Sequence, residues 1–141
     1  MNLIDRLIKY EGLELFPYSD ITGKRLYIEG NISIGCGRNL EHKGISKEEA
    51  LFMLQNDIDD CNDDLKKIFP KWLEFSGGRR VALRDVRFQH GGRGFRLFKK
   101  MIKAILRDDW NGASFELLES QYARKHVRRA NDNAELLRSD K

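Results

Sequence analysis

The chain offers no run of apolar residues near the ~20 that a membrane-spanning helix requires. Its 141 residues contain only two prolines and two cysteines, with no low-complexity tract and no internal repeat. Residues 1–12 carry Asp5, Arg6, Lys9 and Glu11 among their apolar positions. They therefore lack the uninterrupted apolar stretch of a secretory leader, and synthesis in a cytoplasm is expected, with any export helped from outside. Cys36 and Cys61 match no metal-binding spacing and are expected as reduced thiols. The three histidines, His42, His90 and His126, are scattered and argue against a metal site. What remains is a small domain whose 40% hydrophobic content suffices for a real core.

Charge is unevenly spread. Residues 1–69 hold 9 Lys/Arg against 13 Asp/Glu, a net of −4, and residues 70–141 hold 17 against 9, a net of +8. The second half is thus the face expected to meet an anionic polymer, with nucleic acid and bacterial cell wall as candidates. A solvated basic surface would give the same composition.

Leu3, Ile4, Leu7 and Ile8 recur at helical spacing, so residues 2–11 read as a short amphipathic helix that Gly12 can end. Asp20-Ile21-Thr22-Gly23 is turn chemistry. Leu26, Ile28, Ile32 and Ile34 flank Gly30-Asn31, which suits a tight two-residue hairpin turn. Ser46 with Glu49 three residues on is a capping-box pattern. Ala50, Leu54, Ile58, Cys61, Leu65 and Ile68 follow at spacings of three and four, so a helix is expected over 47–68, about 33 Å long. Asp57, Asp59, Asp60, Asp63 and Asp64 read as its wet faces. Beyond Pro70 the chain reads as helical, with a short piece at Trp72–Phe75, then helices near 79–89, 95–106, 109–118 and 127–137. Ser76-Gly77-Gly78 and Gly91, Gly92 and Gly94 are read as interruptions. The expected fold is α+β and one domain. A hairpin lobe (1–45) is joined by a long helix (46–69) to an all-α lobe (70–141).

Two carboxylates stand out. Glu11 falls at the C-terminal end of the first helix, where the dipole disfavours an ionised carboxylate. Burial against Leu13, Phe16 or Tyr18 would act the same way. Asp20 sits in a turn whose backbone N–H groups and water would keep it ionised. Glycoside hydrolysis needs this division, with one acid for the leaving oxygen and one carboxylate for the other face of the sugar. Among 22 acidic residues such pairs are common, and a solvated helix end is the plainer reading of Glu11.

Tyr10-Glu11-Gly12, Tyr18-Ser19-Asp20 and Ser33-Ile34-Gly35-Cys36-Gly37-Arg38-Asn39-Leu40 together resemble the phage lysozyme family, the endolysin muramidases. The resemblance continues through Gly44–Ala50 and reappears at Arg79–Leu83, Phe88-Gln89, Trp110 and Arg129-Ala130. It implies a lysozyme-like fold with a cleft between lobes, no metal or other cofactor, and cleavage of the β-1,4 bond between N-acetylmuramic acid and N-acetylglucosamine. In the inverting scheme it implies, Glu11 is the acid, Asp20 with Ser33 positions water, and Phe88, Gln89 and Arg129 bind substrate. The implied partner is bacterial peptidoglycan. A monomer is expected, without nucleic acid or membrane insertion, made in the host cytoplasm and reaching the wall through a holin.

The sequence also departs from the family. Twelve residues separate Asp20 from Ser33 where the family has five, which reads as a seven-residue hairpin extension at Arg25–Asn31. By literal spacing Leu26 takes the hydroxyl position, but only Ser33 keeps a hydroxyl, and strand alternation turns it away from Ile32 and Ile34. Arg84 and Arg87 replace apolar positions of the central helix, so either the helix is rotated, or they reach solvent or an acid such as Asp85, or the lobe is loosened. Trp110 reads as core and His90 as a solvated loop residue. An active muramidase, a lysozyme-fold binding or scaffold protein without turnover, and a nucleic-acid binder using the basic half remain three distinct readings.

Overall fold

The computed structural model describes residues 2–25 and 30–141. The chain forms two compact units, Met1–Phe52 and Met53–Lys141.

In the first unit α1 (Leu3–Glu11) is capped by Asn2, whose side chain accepts from the Asp5 N–H at 2.9 Å. Gly12 ends it with φ +77° and donates its N–H to Ile8 O. The amphipathic helix is formed as expected, yet Leu3, Ile4, Leu7 and Ile8 all remain exposed. A three-stranded antiparallel sheet follows in the order β1 (Glu14–Ser19), β2 (Ile32–Gly35), β3 (Arg38–Asn39). Pro17 has no N–H to give a ladder. It lies where the β1–β2 register shifts, between Glu14 and Tyr18, and β1 is an edge strand.

Ile32–Gly35 pairs with Glu14–Ser19 on one side and with Arg38–Asn39 on the other. The strand that the sequence reading drew through Leu26 and Ile28 lies outside the described residues. The sheet leads into α2 (Leu40–Lys43), capped by Asn39.

α3 (Lys47–Ile68) has the bounds read from the sequence. Its capping box is reciprocal: Ser46 Oγ accepts from Glu49 N–H at 3.1 Å, and Glu49 Oε2 accepts from Ser46 N–H at 2.8 Å. The division between units falls within this helix, and its expected apolar stripe meets two fates. Ala50 and Leu54 are exposed, whereas Cys61 and Leu65 are buried in the second unit. Asp57, Asp59, Asp60 and Asp63 are exposed as expected, but Asp64 is not.

The second unit is helical, built of the C-terminal part of α3, a short 3-10 turn (Trp72–Glu74), α4 (Gly77–Arg96), α5 (Lys99–Leu106), α6 (Trp110–Leu118), α7 (Gln121–Lys125) and α8 (Val127–Arg138). α8 packs against α4 and α6, and α5 against α6. Leu65, Phe69, Trp72, Leu83, Val86, Phe95, Met101, Ile105, Leu117 and Leu137 are its core. Phe69 meets Phe95 edge-on at 6.2 Å, and Trp110 meets Phe75 edge-on at 4.7 Å, so Trp110 joins the core as read. Such aromatic pairs add about 0.5–1.5 kcal/mol beyond burial.

The glycines of this region depart from expectation at one of two places. Ser76 caps α4 and Gly77-Gly78 open it. Gly91 interrupts as read, its φ of +70° and ψ of 175° kinking α4 between two helical stretches. The two arginines find partners on α3. Arg84 Nε donates to Asn62 Oδ1 at 2.6 Å with its guanidinium 5.5 Å from the Trp72 ring, and Arg87 Nε donates to Asp64 Oδ2 at 2.6 Å. Asp85 pairs instead with Arg129, so the acid that answers Arg87 is Asp64. Their charges are therefore not orphaned.

Candidate active site

Glu11 is the last residue of α1 and is exposed. Leu13 and Phe16 are themselves more than half exposed, so they do not bury its carboxyl as the sequence reading supposed. The β2–β3 turn approaches it. A Cβ at Gly37 would sit 3.4 Å from Glu11 Oε2, so Gly37 presents a bare α-carbon to the carboxylate. Gly35 and Gly37 take φ +68° and +71°, which lets this turn close tightly. Cys36 between them is a free, exposed thiol, while Cys61 is buried and its thiol is pushed up by burial.

Asp20 follows β1 directly. Ser19 is fully buried and organises the turn: its Oγ accepts from the N–H groups of Ile21 and Thr22 at 3.3 and 3.1 Å. Its own N–H donates to Lys24 O, and its carbonyl accepts from Gly23 N–H. Asp20 then meets Asn31 twice. Asp20 N–H donates to Asn31 O at 3.0 Å, and Asn31 N–H donates to Asp20 Oδ1 at 2.9 Å. The backbone donor expected for Asp20 is therefore that of Asn31.

Ser33 lies on the central strand, paired with Tyr18 on one side and Asn39 on the other, and is 4% exposed. The register runs Tyr18↔Ser33, Ser19↔Ile32, then Asp20 against Asn31. Paired residues share a face of a sheet and alternate residues return to it. Tyr18 and Ser33 thus share one face, and the pleat carries Asp20 back toward it. Thr22, two residues after Asp20, offers a second hydroxyl as a rival to Ser33; it accepts from Lys24 N–H within its own turn. In the first unit Glu11 thus lies beside the β2–β3 turn, while Ser33 lies within the sheet and Asp20 just past its Ser19–Ile32 end.

Arg38 and Glu49 brace it. Arg38 Nη1 donates to Glu49 Oε2 at 2.7 Å and to Gly44 O at 3.2 Å, joining β3 to the start of α3. The Ser46 N–H, then Arg38, hold the Glu49 carboxyl below its ordinary range.

Phe88, Gln89 and Arg129 belong to the second unit. Phe88 is 46% exposed and so is not a core aromatic. It lines an apolar groove of about 440 Å³ with Leu54, Ile58, Val81, Arg84, Asp85 and Arg129. Arg129 grips Asp85 through Nε and Nη2 at 2.8 and 2.5 Å, and Asn133 adds a third donor to Asp85. These donors, Arg129 first, hold the Asp85 carboxyl low. Gln89 Oε1 is buried and accepts from no described residue.

A second concavity, of about 450 Å³, was not read from the sequence. His90, Phe98, Tyr122, Lys125 and His126 line it. His90 is no loop residue. It lies within α4, its Nδ1 is 2.8 Å from Val86 O, and its ring meets Phe98 and Tyr122 edge-on at 5.0 and 4.7 Å. The only sequence signal was Gly94, where a Cβ would come within 2.9 Å of His90 Cβ.

No family model matches the chain. Over an alignment of 134 positions it is 28% identical to the pre-baseplate central spike protein Gp5 of Enterobacteria phage T4. That match covers 80% of this chain and 23% of Gp5, so the chain spans about a quarter of that protein's length. The chain is thus similar, at a distance, to a phage protein.

Proposed function

We propose that this chain is a muramidase that hydrolyses the glycan strands of peptidoglycan, with Glu11 as general acid and Asp20 with Ser33 holding the attacking water. What carries the reading is the sheet register, which leaves Asp20 two residues beyond the Tyr18–Ser33 pair, just past the strand that follows the Glu11 helix. The family resemblance of these segments and the similarity to a phage protein support it.

The chemistry follows from the groups. The protonated Glu11 carboxyl gives its proton to the glycosidic oxygen as the C1–O bond breaks. Asp20 Oδ1 is occupied by the Asn31 N–H, which leaves Oδ2 to accept a proton from water. The Ser33 hydroxyl supplies one more donor and acceptor for that water. Water attacks C1 from the face opposite the leaving group, so the product has inverted configuration. Its surplus proton passes to Asp20, while Glu11 is left ionised. Phe88 and Arg129, one apolar and one cationic, are assigned to substrate binding. Peptidoglycan is the partner, and the wall is the place of action.

The deciding experiment is clearance of permeabilised cell-wall suspensions by the wild type beside Glu11→Gln. The variant keeps the shape but has no proton to give. Clearance should fall by at least ~10²-fold, and equal clearance would remove Glu11 from the mechanism. The similarity to a spike protein favours a second setting for the same chemistry, in which the wall is opened from a phage particle rather than by an enzyme set free in the host. Peptides of this chain in purified particles would select that setting, and their absence would select the free one.

A further inference from the structure

We propose that Gly30 and Asn31 are a positioning element for the Asp20 carboxylate rather than simply the turn of a hairpin. The inference rests on the reading of Asp20 as the water-holding carboxylate. It concerns a segment, Arg25–Asn31, that the sequence reads as an extension beyond the family pattern.

Three observations meet at one oxygen. Asn31 N–H donates to Asp20 Oδ1 at 2.9 Å, across eleven residues of sequence. Asp20 N–H returns a bond to Asn31 O at 3.0 Å, so backbone and side chain of Asp20 are held by the same residue. Gly30 lies so close that a Cβ there would stand 2.5 Å from Asp20 Oδ1 and 2.6 Å from Ile21 Cδ1. Real Cβ atoms do not approach other atoms so nearly, and φ at Gly30 is +79°, a conformation that L side chains rarely adopt. The glycine is thus required twice, for its backbone conformation and for the space the carboxylate fills.

The arrangement also decides which oxygen is free. Oδ1 is fixed by a backbone donor that no side-chain substitution can remove. Oδ2 has no donor among the described residues, and its direction is set by the clasp on its twin. A carboxylate anchored in this way keeps one aim, and misplacement of a reacting group by about 1 Å can cost 10²-fold in rate. Gly30 and Asn31 touch neither sugar nor water in this scheme and act only through Asp20.

The test exchanges one hydrogen of Gly30 for a methyl group in each of two senses. Cys36 follows Gly35, so a synthetic peptide of residues 1–35 can be ligated to residues 36–141. Three full chains are compared: glycine, L-alanine (Gly30→Ala) and D-alanine at position 30. D-alanine suits positive φ and turns its methyl away from Asp20. On soluble peptidoglycan strands, at a temperature where all three chains are folded, Gly30→Ala should lose on the order of 10²-fold in kcat with KM within about twofold and a melting temperature lowered by the strain at positive φ, whereas the D-alanine chain keeps wild-type kcat. A merely structural role would lower stability while leaving kcat of the folded chain unchanged, or would move KM as well. Wild-type turnover by Gly30→Ala, or equal loss in both alanine chains, would overturn the proposal. Asp20→Ala is the companion. If it is as active as wild type, the reading of Asp20 fails, and the clasp is then judged by the Asn31 amide proton alone. Its resonance should move in Asp20→Ala more than those of other amides in β2. An unmoved Asn31 amide would remove the clasp itself.

Discussion

Arg87 on α4 reaches back to Asp64 on α3, its Nε 2.6 Å from Oδ2, at a position where the helix pattern called for an apolar side chain. Arg96 takes the other oxygen at 2.5 Å, so one carboxylate answers two guanidinium groups. Asp64 is only 16% exposed, and the pair, Arg96 first, brings its carboxyl down to about 2. A carboxyl lowered by folding gives stability that is full above its unfolded value near 4 and is lost as pH falls through about 2. The contribution is on the order of 2 kcal/mol. Asp64→Asn should therefore be destabilised by about that amount at pH 7, and the gap should close between pH 4 and 2. Thermal unfolding across that window measures it, and a gap independent of pH would mean that packing, not charge, is at stake.

The Ser33 hydroxyl can be separated from its rival. If it holds the water, Ser33→Ala should lose most turnover and Ser33→Thr should keep it, although the added methyl must fit a site only 4% exposed. Thr22→Ala should retain activity, because the Thr22 hydroxyl serves the Lys24 N–H within its own turn. The reverse pattern would move the water to Thr22.

The basic half should act on encounter. Lys99 and Lys103 stand exposed on α5, and no described acid pairs with them. Reversal of both to Glu should weaken apparent affinity for cell walls and leave turnover at saturation unchanged. Clearance by the wild type should decline as salt rises to ~0.3 M. Activity flat over that range, with unaltered kinetics in the reversal variant, would leave these charges as solvation only.

Gly94 and Gly77 should respond oppositely to the same methyl group. The kink at Gly91 draws position 94 toward His90, so Gly94→Ala forces its Cβ within 2.9 Å of His90 Cβ. A loss of about 1–3 kcal/mol is expected. Gly77 opens the same helix with nothing within 4 Å, and Gly77→Ala should gain about 0.4–1 kcal/mol. Denaturant midpoints of the two variants decide the point.

α3 is the element most legible in the sequence. Its start is written in Ser46 and Glu49, its face in a three-and-four spacing, and its end in Pro70, all within one stretch of chain. The hairpin is less legible. Glu14–Ser19 alternates weakly and holds Pro17, so its pairing with Ile32–Gly35 depends on contacts far along the chain. The arginine partners are hidden for the same reason, since Asp64 lies 23 and 32 residues from Arg87 and Arg96. Glu11 and Asp20 were visible as residues and through the motifs Tyr10-Glu11-Gly12 and Tyr18-Ser19-Asp20. The Gly30–Asn31 clasp was not, because a glycine beside an asparagine looks like a turn whether or not a carboxylate sits against it.

The connection between Ser19 and Ile32 is pinned at both ends, by the Ser19 hydroxyl turn where it leaves β1 and by Asn31 where it rejoins β2. Neither pin fixes how many residues separate Lys24 from Gly30. Closing a loop of twice the length costs only about 0.6 kcal/mol, so residues can be gained or lost there at little thermodynamic cost. For an evolving lineage, this makes the segment a place where length can drift neutrally while the chemistry at its foot stays under selection.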